Sequence, residues 1–290
     1  MPPERAFADY SPGITVASKT VLLEVMTALR AYREALVLVG GWVPYFLLET
    51  HRPPGDPFAH VGSIDVDLAV DPAKVGQSEY ATMVELLREK GYTPAPDRAG
   101  EPIPFSFERT VLSDFDQKSY TVRVDFLTHV QDSRAGKHRH LPVQRDLLAR
   151  KTKGAEASFR HFTTFSLSGT LPEGRGQIMV PLRIADVVGC LTMKGIVLGE
   201  RFREKDAYDI YAIVAHYKNG PRDVAEAVRP YLTEPLVEEA LANIQSAFAT
   251  REANGPAWVA AFLPPASSPE HERIITDVFM VVQEFIKALS

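Results

Sequence analysis

Two kinds of hydrophobic spacing divide this sequence, and together they predict an α/β (α+β) fold class: a mixed-sheet domain followed by a helical one. Residues 64 to 70 alternate apolar and acidic side chains, the period of a half-buried strand. Residues 103 to 112 and 119 to 130 are two further strand-like runs, and the short polar turn between them predicts an antiparallel hairpin. From Arg183 onward the apolar residues recur at helical spacing. The change falls near residues 181 to 183, so the expected domains are 1–181 (α/β) and 182–290 (helical).

The elements follow in order. Residues 22 to 33 read as an amphipathic helix, and 36 to 39 as a strand too apolar to alternate and therefore buried on both faces. Gly40-Gly41 breaks that strand, and 42 to 49 read as a helix that tolerates Pro44 in its first turn. A Pro- and Gly-rich stretch, 52 to 62, is a loop. Residues 74 to 90 have helical spacing up to Gly91, a suitable cap. After a basic segment come strands at 162 to 167 and 177 to 180, then helices at 184 to 198, 203 to 216, 224 to 231, 235 to 248, 256 to 262 and 271 to 289. The sequence contains no internal repeat and no low-complexity tract.

Composition narrows the function classes. The balance of 45% hydrophobic and 24% charged residues over 290 positions is that of a globular protein. The single cysteine, Cys190, excludes an internal disulfide, fits a reducing compartment and reads as core. The longest uncharged apolar run, 36 to 48, is interrupted by Gly40, Gly41 and Pro44, and falls short of the ~20 residues that span a bilayer. The first residues, Met1-Pro2-Pro3-Glu4-Arg5, lack the apolar core of a signal peptide, so the expected location is the cytoplasm with no membrane partner. A net charge of −5 argues against a generally basic nucleic-acid surface. Locally the sign reverses: between Arg134 and Arg160 eight Lys or Arg residues face only Asp146 and Glu156, which suits a phosphate-bearing partner met at one place.

The chemistry centres on Ser63-Ile64-Asp65-Val66-Asp67-Leu68. In a strand, Asp65 and Asp67 share a face while Ile64, Val66 and Leu68 turn to the core. Carboxylates at that spacing repel unless a cation lies between them, and magnesium, with its preference for oxygen ligands, is such a cation. The plainer reading is an edge strand with a solvated acidic face. Arg123-Val124-Asp125-Phe126-Leu127 is a second strand with one acid. Were it beside the first, three carboxylates would converge and Asp125 would be the natural general base; a salt bridge to Arg123 is the alternative. Gly40-Gly41, between a buried strand and a helix, allows close approach of a phosphate to free helix N–H groups, or is simply a tight turn.

The order strand, Gly-Gly, helix, loop, Ser-x-Asp-x-Asp resembles the nucleotidyltransferase superfamily. The resemblance rests on Leu38-Val39-Gly40-Gly41-Trp42 and Ser63-Ile64-Asp65-Val66-Asp67-Leu68. Met193-Lys194 and Arg203-Glu204-Lys205-Asp206-Ala207-Tyr208-Asp209-Ile210-Tyr211 are similar to the late motif of the AbiEii-type enzymes, the toxins of type IV toxin–antitoxin systems. The match runs over about residues 36 to 215. It departs from the family's pattern at Trp42, where a small hydroxyl residue is usual, at Val61, where an Arg is expected, and at Lys205.

The resemblance implies a nucleotidyltransferase fold and transfer of a nucleoside monophosphate from an NTP such as ATP to a hydroxyl. It implies nucleotide phosphates at Gly40, Gly41 and Ser63, and magnesium (or manganese) at Asp65, Asp67 and, by its place on a later strand, Asp125. Lys194 would contact the triphosphate, with Asp206 and Asp209 lining the cleft. Read from spacing alone, Asp206 and Asp209 share a helix face, which a surface helix with Lys205 and Arg203 as partners would also explain. Lys194, among apolar positions, either snorkels outward or meets an anion. The expected acceptor is RNA, with a tRNA 3′ end as the candidate, held by the basic segment 134 to 153; a cognate antitoxin is the other partner implied. The rival functions are a small-molecule (antibiotic-type) nucleotidyltransferase and a non-catalytic NTP-binding protein of the same fold. His138 and His140 read as a solvated loop rather than metal ligands, and Trp42, Tyr45 and Phe46 as helix core rather than a base-stacking surface.

Overall fold

The computed structural model describes residues 6–76, 81–130, 139–200, 204–264 and 266–290. In chain order the elements are α1 (Pro12–Ala28), β1 (Leu36–Val39), α2 (Trp42–His51), β2 (Val66–Val70), α3 (Met83–Arg88), β3 (Thr93–Pro96), β4 (Pro102–Leu112), β5 (Ser119–Thr128), β6 (His140–Gln144), β7 (Leu147–Lys151), α4 (Ala155–Ser158), β8 (Phe162–Thr170) and β9 (Gln177–Ala185). They are followed by α5 (Val187–Glu200), α6 (Glu204–His216), α7 (Pro221–Val228), α8 (Pro235–Ala247), α9 (Asn254–Phe262) and α10 (Ser268–Leu289). The fold class is therefore mixed α/β with C-terminal helices. Backbone contacts divide the chain into a sheet unit, Ser11–Trp42 and Ser63–Ala185, and a helical unit, Met1–Tyr10, Val43–Gly62 and Asp186–Ser290. A single cut near residues 181 to 183 does not describe this division, because the helical unit also takes in two earlier stretches of chain.

The sheet unit is built on a nine-stranded mixed sheet in the order β3-β4-β5-β2-β1-β9-β8, with β7 also beside β5 and β6 beside β7. β4 and β5 form the expected antiparallel hairpin, from Leu112↔Ser119 to Ser106↔Asp125. β2 pairs antiparallel with β1 and parallel with β5. Val66, Leu68, Val122, Val124 and Phe126 have no solvent exposure, and α1 lies on this apolar face with Val21, Leu22 and Val25 fully buried. Each such side chain contributes about 1.5–3 kcal/mol. A one-residue slip of β2 or β5 would replace this set with Asp67 and Asp125, and burying an unpaired carboxylate is far more costly than that gain. The apolar residues thus set the register that positions the acids.

Several local expectations need correction. α1 starts at Pro12 behind Ser11, and its buried face includes Gly13, Ala17 and Ser18, small residues that hide the helical stripe from a hydrophobicity count. Of the helix expected over 74 to 90, residues 77–80 lie outside the described residues, and an α-helix occupies only Met83–Arg88. It starts where Thr82 and Glu85 cap one another, Thr82 N–H donating to Glu85 Oε2 at 2.7 Å. β2 begins at Val66, so Ile64 and Asp65 form a bend ahead of it. Part of the basic segment, read as a loop, is the hairpin β6–β7, which places His140 at the start of a strand; His138 lies outside the described residues. β9 extends to Ala185 through pairing with β8, so Ile184 belongs to a strand and not to a helix.

In the helical unit, α5 packs on α8 at close range: a Cβ on Gly195 would lie 2.5 Å from the carbonyl oxygen of Ala240. Tyr208, Phe248, Phe262 and Phe285 fill its core. No helix among the described residues is long and apolar enough to cross a membrane.

Candidate active site

The sheet unit brings two of the three expected acids side by side. Asp67 of β2 is the register partner of Asp125 of β5. Partners in a parallel ladder project to the same face, here the one opposite the apolar core. Both are half-buried, while Val66, Leu68, Val124 and Phe126 point the other way. Strand alternation does not place Asp65, which lies in the bend, yet its charge still acts on Asp125.

Beside this pair β1 ends in the turn Gly40-Gly41, and Val39 is the register partner of Asp67. Gly40 has φ +74, and a Cβ built on it would lie 2.2 Å from Asp67 Oδ2. Any side chain there would displace the carboxylate, so glycine is required both by backbone conformation and by the closeness of Asp67. α2 starts at Trp42, directly after the turn. Ser63 is buried in the loop ahead of the bend. Trp42 is buried and its indole N–H donates to Ser18 Oγ at 3.0 Å, which makes it core. Phe46 is fully buried too.

Burial pushes the Asp125 carboxyl above its ordinary pKa and the Asp65 charge adds to the rise, while the hydrogen bond from Ser106 and the charges of Arg150 and Arg123 oppose it. Ser106 Oγ donates to Asp125 Oδ1 at 2.5 Å. The alternative partner for Asp125 is not used in this way: the Arg123 guanidinium donates to the carbonyl oxygen of Pro96 and pairs with Glu108. Asp125 thus keeps one oxygen occupied by a neutral hydroxyl and retains more proton affinity than an ordinary aspartate.

Among the described residues no three His, Cys, Asp or Glu side chains close on one point as a metal shell. The facing pair still fits magnesium, which takes one or two carboxylates and completes its octahedron with water and phosphate oxygens rather than an all-protein cage. The donors are hard oxygens, and the Asp65 charge that adds to the rise at Asp125 is what a cation would relieve.

The other expected residues assemble in the helical unit. Lys194 of α5 reaches Asp206 Oδ1 and Asp209 Oδ2 of α6, each at 2.6 Å. Lys205 pairs with Asp209 Oδ1, and His60 Nε2 lies 2.9 Å from the same oxygen. Gly62 N–H donates to His60 Nδ1 at 3.1 Å, so Nε2 carries the proton that goes to Asp209. Asp209 is fully buried, which excludes the surface-helix reading of this pair. Burial opposes its charge, but Lys194 and Lys205 outweigh that and hold the Asp209 carboxyl far below the usual range. Lys194 is raised by the two carboxylates against its own burial. Lys205, over the rings of Tyr10, Tyr208 and Phe262, is lowered because burial wins. Burial lowers His60 to about 4, with Lys205 adding to the effect. The triphosphate contact implied for Lys194 therefore meets an ammonium already held by two carboxylates. Arg203 lies outside the described residues.

Comparison assigns no family. No protein-family model matches the chain, and no curated protein matches it. A similar solved structure is the crystal structure of JHP933 from Helicobacter pylori, 13% identical, covering 96% of this chain and 94% of that one with a TM-score of 0.40. Likeness at that level carries no argument about the site, which rests on its own residues.

Three of those residues have no signal in their local sequence. Ser106 and Arg150 become neighbours of Asp125 only through strand pairing. His60 meets a carboxylate 149 positions away. Lys205, expected as a surface partner, has a side chain 12% exposed that pairs with the buried Asp209. Cys190 is core, its thiol pushed up to about 12 by burial.

Proposed function

We propose that this protein is a magnesium-dependent nucleotidyltransferase of the AbiEii type, transferring a nucleoside monophosphate from an NTP to a hydroxyl of an RNA acceptor. The observation that carries the reading is the side-by-side register of Asp67 and Asp125 next to a turn whose Gly40 admits no side chain. Asp67 and Asp125 would hold the ion, with the charge of Asp65 nearby; when bound, the ion neutralises charge on the phosphates. The turn Gly40-Gly41 and the start of α2 would offer N–H groups to the phosphates, with Ser63 as a further contact. Asp125, its proton affinity raised, accepts the proton of the acceptor hydroxyl. That oxygen forms a bond to the α-phosphorus, the bond from α-phosphorus to the bridging oxygen breaks, and pyrophosphate leaves. A tRNA 3′ end is the acceptor candidate, and a neighbouring reading frame for a small DNA-binding protein would support a toxin role.

The lysine and two aspartates of the helical unit have a better account as the pairing that joins α5 to α6 than as nucleotide ligands. The test is incubation with each α-labelled NTP, magnesium and total RNA, with D67N as control. Label on RNA that vanishes in D67N supports the proposal. Label on a small molecule favours the antibiotic-type enzyme, and bound but unconsumed NTP favours a binding protein.

A further inference from the structure

The face that carries Asp67 and Asp125 continues beyond them in register. Arg150 of β7 partners Leu127 of β5, two residues past Asp125 and on its face. His140 of β6 partners Arg150 in turn. Phe105 precedes Ser106, where β4 parts from β5 and β7 takes its place; alternation along β4 would turn it from the Asp125 face, and its contacts with β6 and β7, not its parity, place its ring. The Arg150 guanidinium lies 5.3 Å over the Phe105 ring, and the His140 and Phe105 ring centroids are 5.1 Å apart at 36°. One strand across and one pleat along puts Arg150 about 8 Å from Asp125, backbone to backbone.

Among the described residues no carboxylate is in contact with the cations of this corner. Arg150 is half-buried and makes no ion pair among the described residues; its charge is felt by Asp125 without a contact. Arg139 is exposed beside it, and Lys151 N–H donates to the Arg139 carbonyl, so both lie on the same hairpin end. Burial, with Arg150 and Arg139 adding to it, lowers His140 and keeps its ring neutral near pH 7. A cation next to two flat, uncharged rings matches a phosphate next to a base.

Resting on the transferase reading, we propose that Phe105, His140 and Arg150 form the subsite for the last nucleotide of a single-stranded RNA acceptor, base on the rings, phosphate on the guanidinium and terminal hydroxyl toward Asp125. The subsite belongs to the acceptor and not to the NTP.

The test measures binding without turnover. Fluorescence anisotropy of a short 5′-labelled single-stranded RNA is followed in EDTA over a salt series, together with a fluorescent NTP. Arg150→Gln should weaken RNA about tenfold and reduce the salt slope by about 0.7, the value for one phosphate contact on a single strand. NTP affinity should not change, and Arg98→Gln, at an exposed position, should leave the RNA salt slope and affinity near wild type. With 2-aminopurine at the RNA 3′ end, wild type should quench its fluorescence and Phe105→Leu should restore it. Wild type that binds no RNA, equal losses in both arginine variants, or a loss confined to NTP overturns the subsite. If Arg150→Gln loses RNA binding while wild type transfers no label, the subsite stands and the transferase reading fails; transfer with unaltered Arg150→Gln binding gives the reverse.

Discussion

Asp125 is half-buried and Asp209 fully buried, and burial alone would push both carboxyls up. They end on opposite sides of the ordinary value. Asp125 has the neutral hydroxyl of Ser106 at 2.5 Å and another carboxylate, Asp65, near enough to repel it. Asp209 has Lys194 at 2.6 Å, Lys205 and the proton of His60. The first arrangement leaves an acid that can take a proton or a cation. The second consumes its charge inside the fold. Two aspartates that look equally functional in a motif are therefore separated by their neighbours, one suited to chemistry and the other to holding helices together.

Exchanging each acid for its amide breaks this comparison most directly. D125N should lower the transfer rate about 10²- to 10⁴-fold, the usual contribution of a general base, with little loss of stability, because it removes a carboxylate that burial already disfavours. D209N should do the reverse at the level of folding. Leaving Lys194 and Lys205 without their shared partner should destabilise the protein by about 3–5 kcal/mol in urea unfolding. Equal losses of stability in the two variants would remove the distinction.

Acid should find the helical unit next. His60 titrates at about 4 when folded against 6.5 in an unfolded chain, so the unfolded state binds the extra proton between those values. The stability His60 contributes is complete above pH 6.5 and lost as the pH falls toward 4, about 3 kcal/mol in all. Asp209, held low, adds its own loss further into acid. Thermal melts between pH 7 and pH 4.5 should show the decline, and His60→Gln, which keeps a donor for Asp209 but cannot titrate, should flatten it in the upper part of that range.

The smallest expected effect sharpens the other side. Ser106 draws the Asp125 carboxyl down and Asp65 draws it up. In the pH profile of transfer, S106A should move the acid limb to higher pH at unchanged maximal rate. An acid limb that stays in place would mean that Asp125 is not the group being titrated.

Much of the fold could be read from spacing, and the failures have specific causes. The β4–β5 hairpin and β1 were visible because their strands alternate or are wholly apolar. α1 was displaced because Gly13, Ala17 and Ser18 contribute to its buried face without looking hydrophobic. The hairpin β6–β7 was hidden by its charge: Arg145 and Asp146 make the turn, Arg150 and Lys151 stand on the strand, and only Leu147 and Ala149 are deeply buried.

On its own, the order of residues determined the separation into sheet and helices, the alternation that sends Asp67 away from the core, and the glycine turn after β1. Those are local matters, governed by side-chain period and backbone freedom within a few residues. Only the tertiary structure decided that β5 lies parallel to β2 with Asp125 opposite Asp67, that Ser106 and Arg150 flank it, and that Lys194 is occupied by Asp206 and Asp209. Strand neighbours and buried ion pairs join residues far apart in the chain, and their protonation depends on distances of a few ångströms that no local pattern encodes.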